Sequence, residues 1–137
     1  MYDESFQVKI FPLLFEAFDT HLASIYSGKL YYQVSPPNQY PKCIYQSQDR
    51  GGRNTDMIGY NGWRGLITFR SIDKDMHNAY ALLEDLIDAL PNVTVASGYS
   101  ITIKADRPEA FPVETTTGGE SVYTAAIIAK IDIHKDN

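Results

Sequence analysis

Apolar residues along this chain fall into two helical stripes and a set of alternating runs. Over residues 6–26, Phe6, Ile10, Leu13, Leu14, Ala17, Phe18, Leu22 and Ile25 recur every three or four positions, the spacing of a helix with one buried face. Pro12 interrupts that stretch. Either the helix starts near Pro12, with residues 5–11 a separate turn or arm, or it kinks there; tolerance of proline in a first turn favours the start. Ser27-Gly28 supplies the stop. Two strands are expected at Lys29–Val34 and Lys42–Gln48. The prolines at 36, 37 and 41 exclude a central strand between them and make a stiff connection. In Trp63–Ser71, Trp63, Gly65, Ile67 and Phe69 alternate with Arg64, Leu66, Thr68 and Arg70, as in a strand with two unlike faces. A second helix is predicted from about Asp73 to Leu90, with Met76, Ala79, Tyr80, Leu83, Leu86, Ile87 and Leu90 on one stripe and Pro91 beyond its end. Two further strands follow, one over Tyr99–Lys104 and one over Tyr123–His134.

Two segments fit neither period. Residues 49–62 hold four of the nine glycines, and residues 106–121 are rich in Pro, Thr and Gly. Both read as long protruding loops suited to contacts with neighbours. The element order, α-β-β-β-α-β-β, predicts an α+β fold: two helices packed on one face of an antiparallel or mixed sheet of about five strands. At 137 residues the chain is expected to form one domain, 1–137. Its core should be built by Tyr80, Leu83, Leu86, Ile87 and Leu90 against Ile67, Phe69, Ile101, Ile103, Ile127, Ile131 and Ile133, because alternation sends each strand's apolar set to one side.

Charge narrows the function classes. Lys and Arg total 12 against 17 Asp and Glu, a net charge of −5, the opposite of what phosphate binding favours. Arg50, Arg53, Arg64 and Arg70, with Tyr60 and Trp63 interleaved, faintly resemble a nucleic-acid surface, diluted by Asp49 and Asp56. No apolar run approaches the roughly 18 residues of a membrane span. The opening Met1-Tyr2-Asp3-Glu4-Ser5 is acidic where a signal peptide is basic. The single cysteine, Cys43, forms no internal disulfide and reads as a small buried hydrophobe, consistent with a reducing compartment.

No catalytic, cofactor or metal site is legible. His21, His77 and His134 lack ligand spacing. Asp19, His21 and Ser24 lie on one predicted helix and point in different directions, so they form no triad. His77 fits a surface pairing with Asp73, one turn away, or simple charge placement. Gly51-Gly52 and Gly118-Gly119 lack the Gly-Lys-Ser/Thr ending of a phosphate loop. Glu84, Asp85 and Asp88 crowd the C-terminal end of the second helix, where the helix dipole disfavours them. A solvated face explains them, and so does an acidic surface kept for a partner or a channel wall.

The sequence of features is familiar. An amphipathic helix ends in Ser27-Gly28-Lys29-Leu30-Tyr31-Tyr32, and a proline-rich stretch leads into Tyr40-Pro41-Lys42-Cys43-Ile44-Tyr45. Phe69-Arg70-Ser71 precedes the helix Ala79-Tyr80-Ala81-Leu82-Leu83-Glu84-Asp85-Leu86, and a strand, a loop and the strand Ile127–Ile133 close the chain. Across residues 6 to 134 this resembles the tail-terminator, or tail-completion, proteins of long-tailed bacteriophages. Its extended N-terminal segment and Pro12 depart from that pattern.

The resemblance implies a non-enzymatic virion protein without cofactors, assembled in the host cytoplasm into a ring, usually a hexamer, at the head-proximal end of the tail tube. Its partners would be copies of itself, the tail tube protein and a head–tail connector or neck protein, and DNA would pass through without specific binding. Expected contact residues are Arg50, Arg53, Asp56, Tyr60, Trp63, Glu114 and Glu120. Glu84, Asp85 and Asp88 would form an acidic lumen or partner face. The alternatives are another neck protein of similar size, a small monomeric binding module or a small α+β enzyme.

Overall fold

The computed structural model describes residues 4–47, 62–105, 113–117 and 120–136. Their order is helix α1 (Glu4–Leu22), strands β1 (Leu30–Tyr32), β2 (Lys42–Ser47) and β3 (Gly62–Asp73), helix α2 (Met76–Ala89), and strands β4 (Tyr99–Ala105), β5 (Val113–Thr117) and β6 (Glu120–Lys135). Six strands form one mixed sheet in the order β1-β2-β3-β6-β4, with β5 paired to the start of β6. The α+β class and the two helices on one face agree with the sequence pattern. The sixth strand does not, since β5 lies inside the stretch expected to be loop.

The centre of the sheet is the antiparallel pair β3–β6, in register from Gly62↔His134 to Asp73↔Tyr123. This register puts Trp63, Gly65, Ile67, Phe69 and Ser71 on the same side as Ile133, Ile131, Ala129, Ile127 and Ala125. Cys43 and Tyr45 of β2 and Ile101 and Ile103 of β4 join them through Cys43↔Ser71, Tyr45↔Phe69, Ile101↔Ile133 and Ile103↔Ile131. Both helices cover this side. Phe18 of α1 meets Phe69 and Tyr45 edge-on, with centroids 5.4 and 5.2 Å away. Ser71 Oγ donates a 2.7 Å bond to the carbonyl of Ala79 in α2. Of the anticipated core, Leu83, Leu86, Ile87, Leu90, Ile67, Phe69, Ile103, Ile127, Ile131 and Ile133 are buried. Tyr80 and Ile101 are half-buried at its margin.

Helix α1 corrects the reading of Pro12. The helix runs through it from Glu4 rather than starting beside it. Pro12 sits on the exposed side, where water can serve the carbonyl freed by the missing N–H, while Leu14, Ala17, Phe18 and Leu22 anchor the opposite side. The chain leaves through a 3₁₀ turn, Ala23–Tyr26, and Ser27 and Gly28 both adopt positive φ (55° and 86°), which terminates it as anticipated. Helix α2 begins at Met76, later than expected, because Asp75 caps it by accepting the His77 N–H at 2.9 Å. The Asp73 carboxylate is engaged by the Lys74 N–H and the Asn78 side-chain amide, so it does not serve as the partner of His77.

Strands β1 and β2 are parallel, joined by only nine residues. Parallel neighbours usually need a longer crossover. Here Gln33 and Asn38 take positive φ to turn the chain, and two lysines brace the link: Lys29 Nζ donates to the Tyr40 carbonyl and Lys42 Nζ to that of Pro36.

Candidate interaction surfaces

The expected contact residues separate on folding. Arg50, Arg53, Asp56 and Tyr60 lie outside the described residues, and so does nearly all of the 49–62 loop. Trp63, expected on a contact surface, is 1% exposed in the core. Its ring lies over Gly65, where a Cβ would fall 2.3 Å from the indole, and its edge meets Phe11 with centroids 5.4 Å apart. The glycine two residues on is thus the space that the tryptophan fills. Alternation therefore separates Trp63 from Arg64 and Arg70, which lie on the opposite side of β3.

Glu114 is exposed on β5, opposite Tyr123 of β6. Glu120 opens β6, opposite Thr117. These two strands form a ribbon at the start of β6, where only Tyr123 and Thr124 also pair with β3. Val113 is 65% exposed there. Thr117 pairs with Glu120, and in the sequence a Gly-Gly pair between two strand-like runs is a hairpin signal. That signal was present in the sequence but was outweighed by the Pro- and Thr-rich composition around it.

Glu84, Asp85 and Asp88 remain together on α2. Asp85 and Asp88 are exposed and Glu84 is half-buried. Glu16 and Asp19 occupy the exposed side of α1. Residues 11–22 of α1 and all of α2 carry these five carboxylates and no Lys or Arg. The helix-free side of the sheet has the opposite character. Arg64, Arg70, Lys104 and Lys130 all lie on it, together with Asp132, which accepts from Arg64 Nε at 3.2 Å, and Asp136, which accepts from the Ser100 hydroxyl at its edge. Lys104 and Lys130 are direct cross-strand neighbours. Leu66 and Ile128 are exposed beside them, 39% and 51%. This charged and apolar face was not singled out from sequence. It arises only when β3, β6 and β4 are placed side by side.

Among the described residues, three of the four titratable groups with displaced pKa values, Tyr26, Cys43 and Tyr45, sit in the core, and the fourth, Lys42, braces the β1–β2 link. Burial, aided by neighbouring Cys43, pushes the Tyr26 phenol far above its usual range. Burial likewise raises Cys43 and Tyr45, and lowers Lys42. A cleft of about 210 Å³ lies between α1 and residues 94–96, lined by Leu13, Glu16, Ala17, Thr20, His21, Thr94, Val95 and Ala96. His21 Nε2 and Thr94 Oγ1 are hydrogen-bonded across it at 3.1 Å. Asp19 is exposed and Ser24 lies in the 3₁₀ turn beyond the helix. His134 is exposed, 3.7 Å from Asp132. Among the described residues, no three His, Cys, Asp or Glu side chains gather as a metal site requires, and no helix is long and apolar enough to cross a membrane.

No protein-family model matches the sequence, and a search of curated proteins returns no match. Among solved structures, the fold is similar to that of a chain in the virion of a native gene transfer agent particle, with a TM-score of 0.56 and 15% identity over 90% of this chain and 92% of that one. A second solved structure, which carries no functional description, matches with a TM-score of 0.52 and 16% identity over 92% of this chain and 96% of that one. The likeness thus runs nearly end to end in both, and at these identities it is a likeness of fold.

Proposed function

We propose that this chain is a structural virion protein that forms a ring, a hexamer by analogy, at the head-proximal end of a phage or phage-like tail tube. There it ends tube growth and presents the surface to which the filled head attaches. The observation that carries this reading is the end-to-end likeness of fold to a chain of a gene transfer agent virion. It coincides with the order of elements by which the sequence itself resembles tail-terminator proteins. The exposed acids of α2, Asp85 and Asp88, would offer a charged face to a partner. The β5–β6 ribbon, bearing Glu114 and Glu120, is suited to reach the tail tube protein or a neighbouring copy.

Mass measurement of the purified chain, and of tails assembled with it, tests the proposal. A ring in either setting is expected, and tails lacking the chain should be of irregular length and unable to join heads. A strict monomer in both settings would overturn it. A neck protein of the same particles is the second reading, favoured by the same likeness of fold. Tails of normal length that still fail to join heads would select it.

A further inference from the structure

Charge in this subunit is divided by layer. The solvent side of the helices carries Glu16, Asp19, Asp85 and Asp88, while the open side of the sheet carries Arg70, Lys104 and Lys130 beyond the paired Arg64 and Asp132. The sheet surface also sets like charges side by side, Lys104 facing Lys130 across β4 and β6, an arrangement unfavourable in an isolated subunit. At the centre of the basic face lie Leu66 and Ile128, exposed and aliphatic. A nucleic-acid platform on a sheet would carry aromatic rings for bases to stack upon. An aliphatic centre with a charged rim is instead the anatomy of a protein interface.

We propose that the open face of the sheet, centred on Leu66 and Ile128 and rimmed by Arg70, Lys104 and Lys130, docks head to tail on the acidic helix layer of a second copy of this chain. The two surfaces lie on opposite sides of one subunit, so they cannot satisfy each other within it. Contact between unlike surfaces passes from copy to copy and closes into a ring when the rotation permits. This deepens the ring reading by naming the surfaces that meet, and it rests on that reading only in requiring that copies associate.

The test uses two charge-reversed full-length variants at exposed positions: Lys104→Glu with Lys130→Glu on the sheet, and Glu16→Lys with Asp85→Lys on the helices. Circular dichroism should show both folded. In low salt, light scattering should show the unaltered chain associating, and each variant alone should lose at least tenfold in association constant. An equimolar mixture should regain association, because each reversed surface then meets its complement on the other variant. Raising the salt to about 1 M should weaken the unaltered assembly, since exposed charges are then screened within about 3 Å.

Association of the single variants as strong as that of the unaltered chain would overturn the assignment of surfaces while leaving a ring intact. Variants that weaken alone and gain nothing when mixed would also overturn it. An unaltered chain that stays monomeric at millimolar concentration would overturn the proposal, and the ring would then be decided by tail composition alone. DNA bound by the unaltered chain and lost only in the sheet variant, with self-association unchanged, would reassign the face to nucleic acid.

Discussion

The two faces of the sheet are made by alternate residues of the same strands, yet they obey different physics. On one side, Trp63, Ile67 and Phe69 meet α1 and α2, and every one of them is at most 3% exposed. On the other, Arg64, Leu66 and Arg70 remain partly accessible, and only the small Thr68 between them is buried. The first face is fixed by close packing, in which a misplaced methylene is felt. The second is fixed by charge and exposed apolar area, which contribute little to a lone subunit. Packing and the proposed contact surface therefore lie on opposite sides of one strand, and substitutions can address them separately.

The largest effects should come from the covered face. Phe69→Ala removes a ring packed on Phe18 and Tyr45, and should cost about 3–5 kcal/mol. Leu83→Ala, at a fully buried position on α2, should cost about 2–5 kcal/mol. Urea denaturation measures both, and a loss below 1 kcal/mol at either would break the contrast. Alkaline pH should act through the same face. Cys43, Tyr26 and Tyr45 are held neutral by burial, with pKa values above their ordinary 9.0 and 10.0. The unfolded chain then releases protons that the folded chain keeps, so stability is intact below about pH 9 and falls as pH rises beyond it. The urea midpoint should drop between pH 9 and 11, and Cys43→Ala should move the onset toward pH 10.

Gly65→Ala sharpens the comparison, because the added methyl would overlap the Trp63 indole. A cost of about 1–3 kcal/mol is expected, together with altered tryptophan fluorescence. Asp75→Ala removes the cap of α2 and should cost about 1 kcal/mol, read as a lowered melting temperature. The smallest effects belong to the open face. A double-mutant cycle on Arg64 and Asp132, whose side chains are 39% and 34% exposed, should give no more than about 1 kcal/mol. Leu66→Thr should leave the melting temperature nearly unchanged. A large loss of stability there would show that the open face also holds the subunit together.

Hydrophobic periodicity located both helices and nearly all of the core, because burial demands a fixed spacing within each element. It also put Leu83, Leu86 and Ile87 toward the sheet, and Cys43 among the buried residues. It was less informative where a local signal had two readings. Pro12 was read as a start signal, but packing by Leu14, Phe18 and Leu22 sustains a helix through it. The Pro- and Thr-rich composition of residues 106–121 hid the antiparallel pairing of β5 with β6. Trp63 was read beside its arginine neighbours, although alternation sends it to the other side of the strand, against Phe11.

The sequence by itself determined the class of fold, the two amphipathic helices, the inward set of each long strand and the absence of any spaced catalytic motif, since all of these are periodic or local properties. Tertiary structure decided which strands are neighbours: β1 beside β2 in parallel, β6 between β3 and β4, and β5 folded back on β6. It thereby brought Lys104 next to Lys130 and set the basic sheet opposite the acidic helices. Strand order depends on pairings between residues far apart in the chain, and a sequence period records which face a side chain takes, not which strand lies beside it.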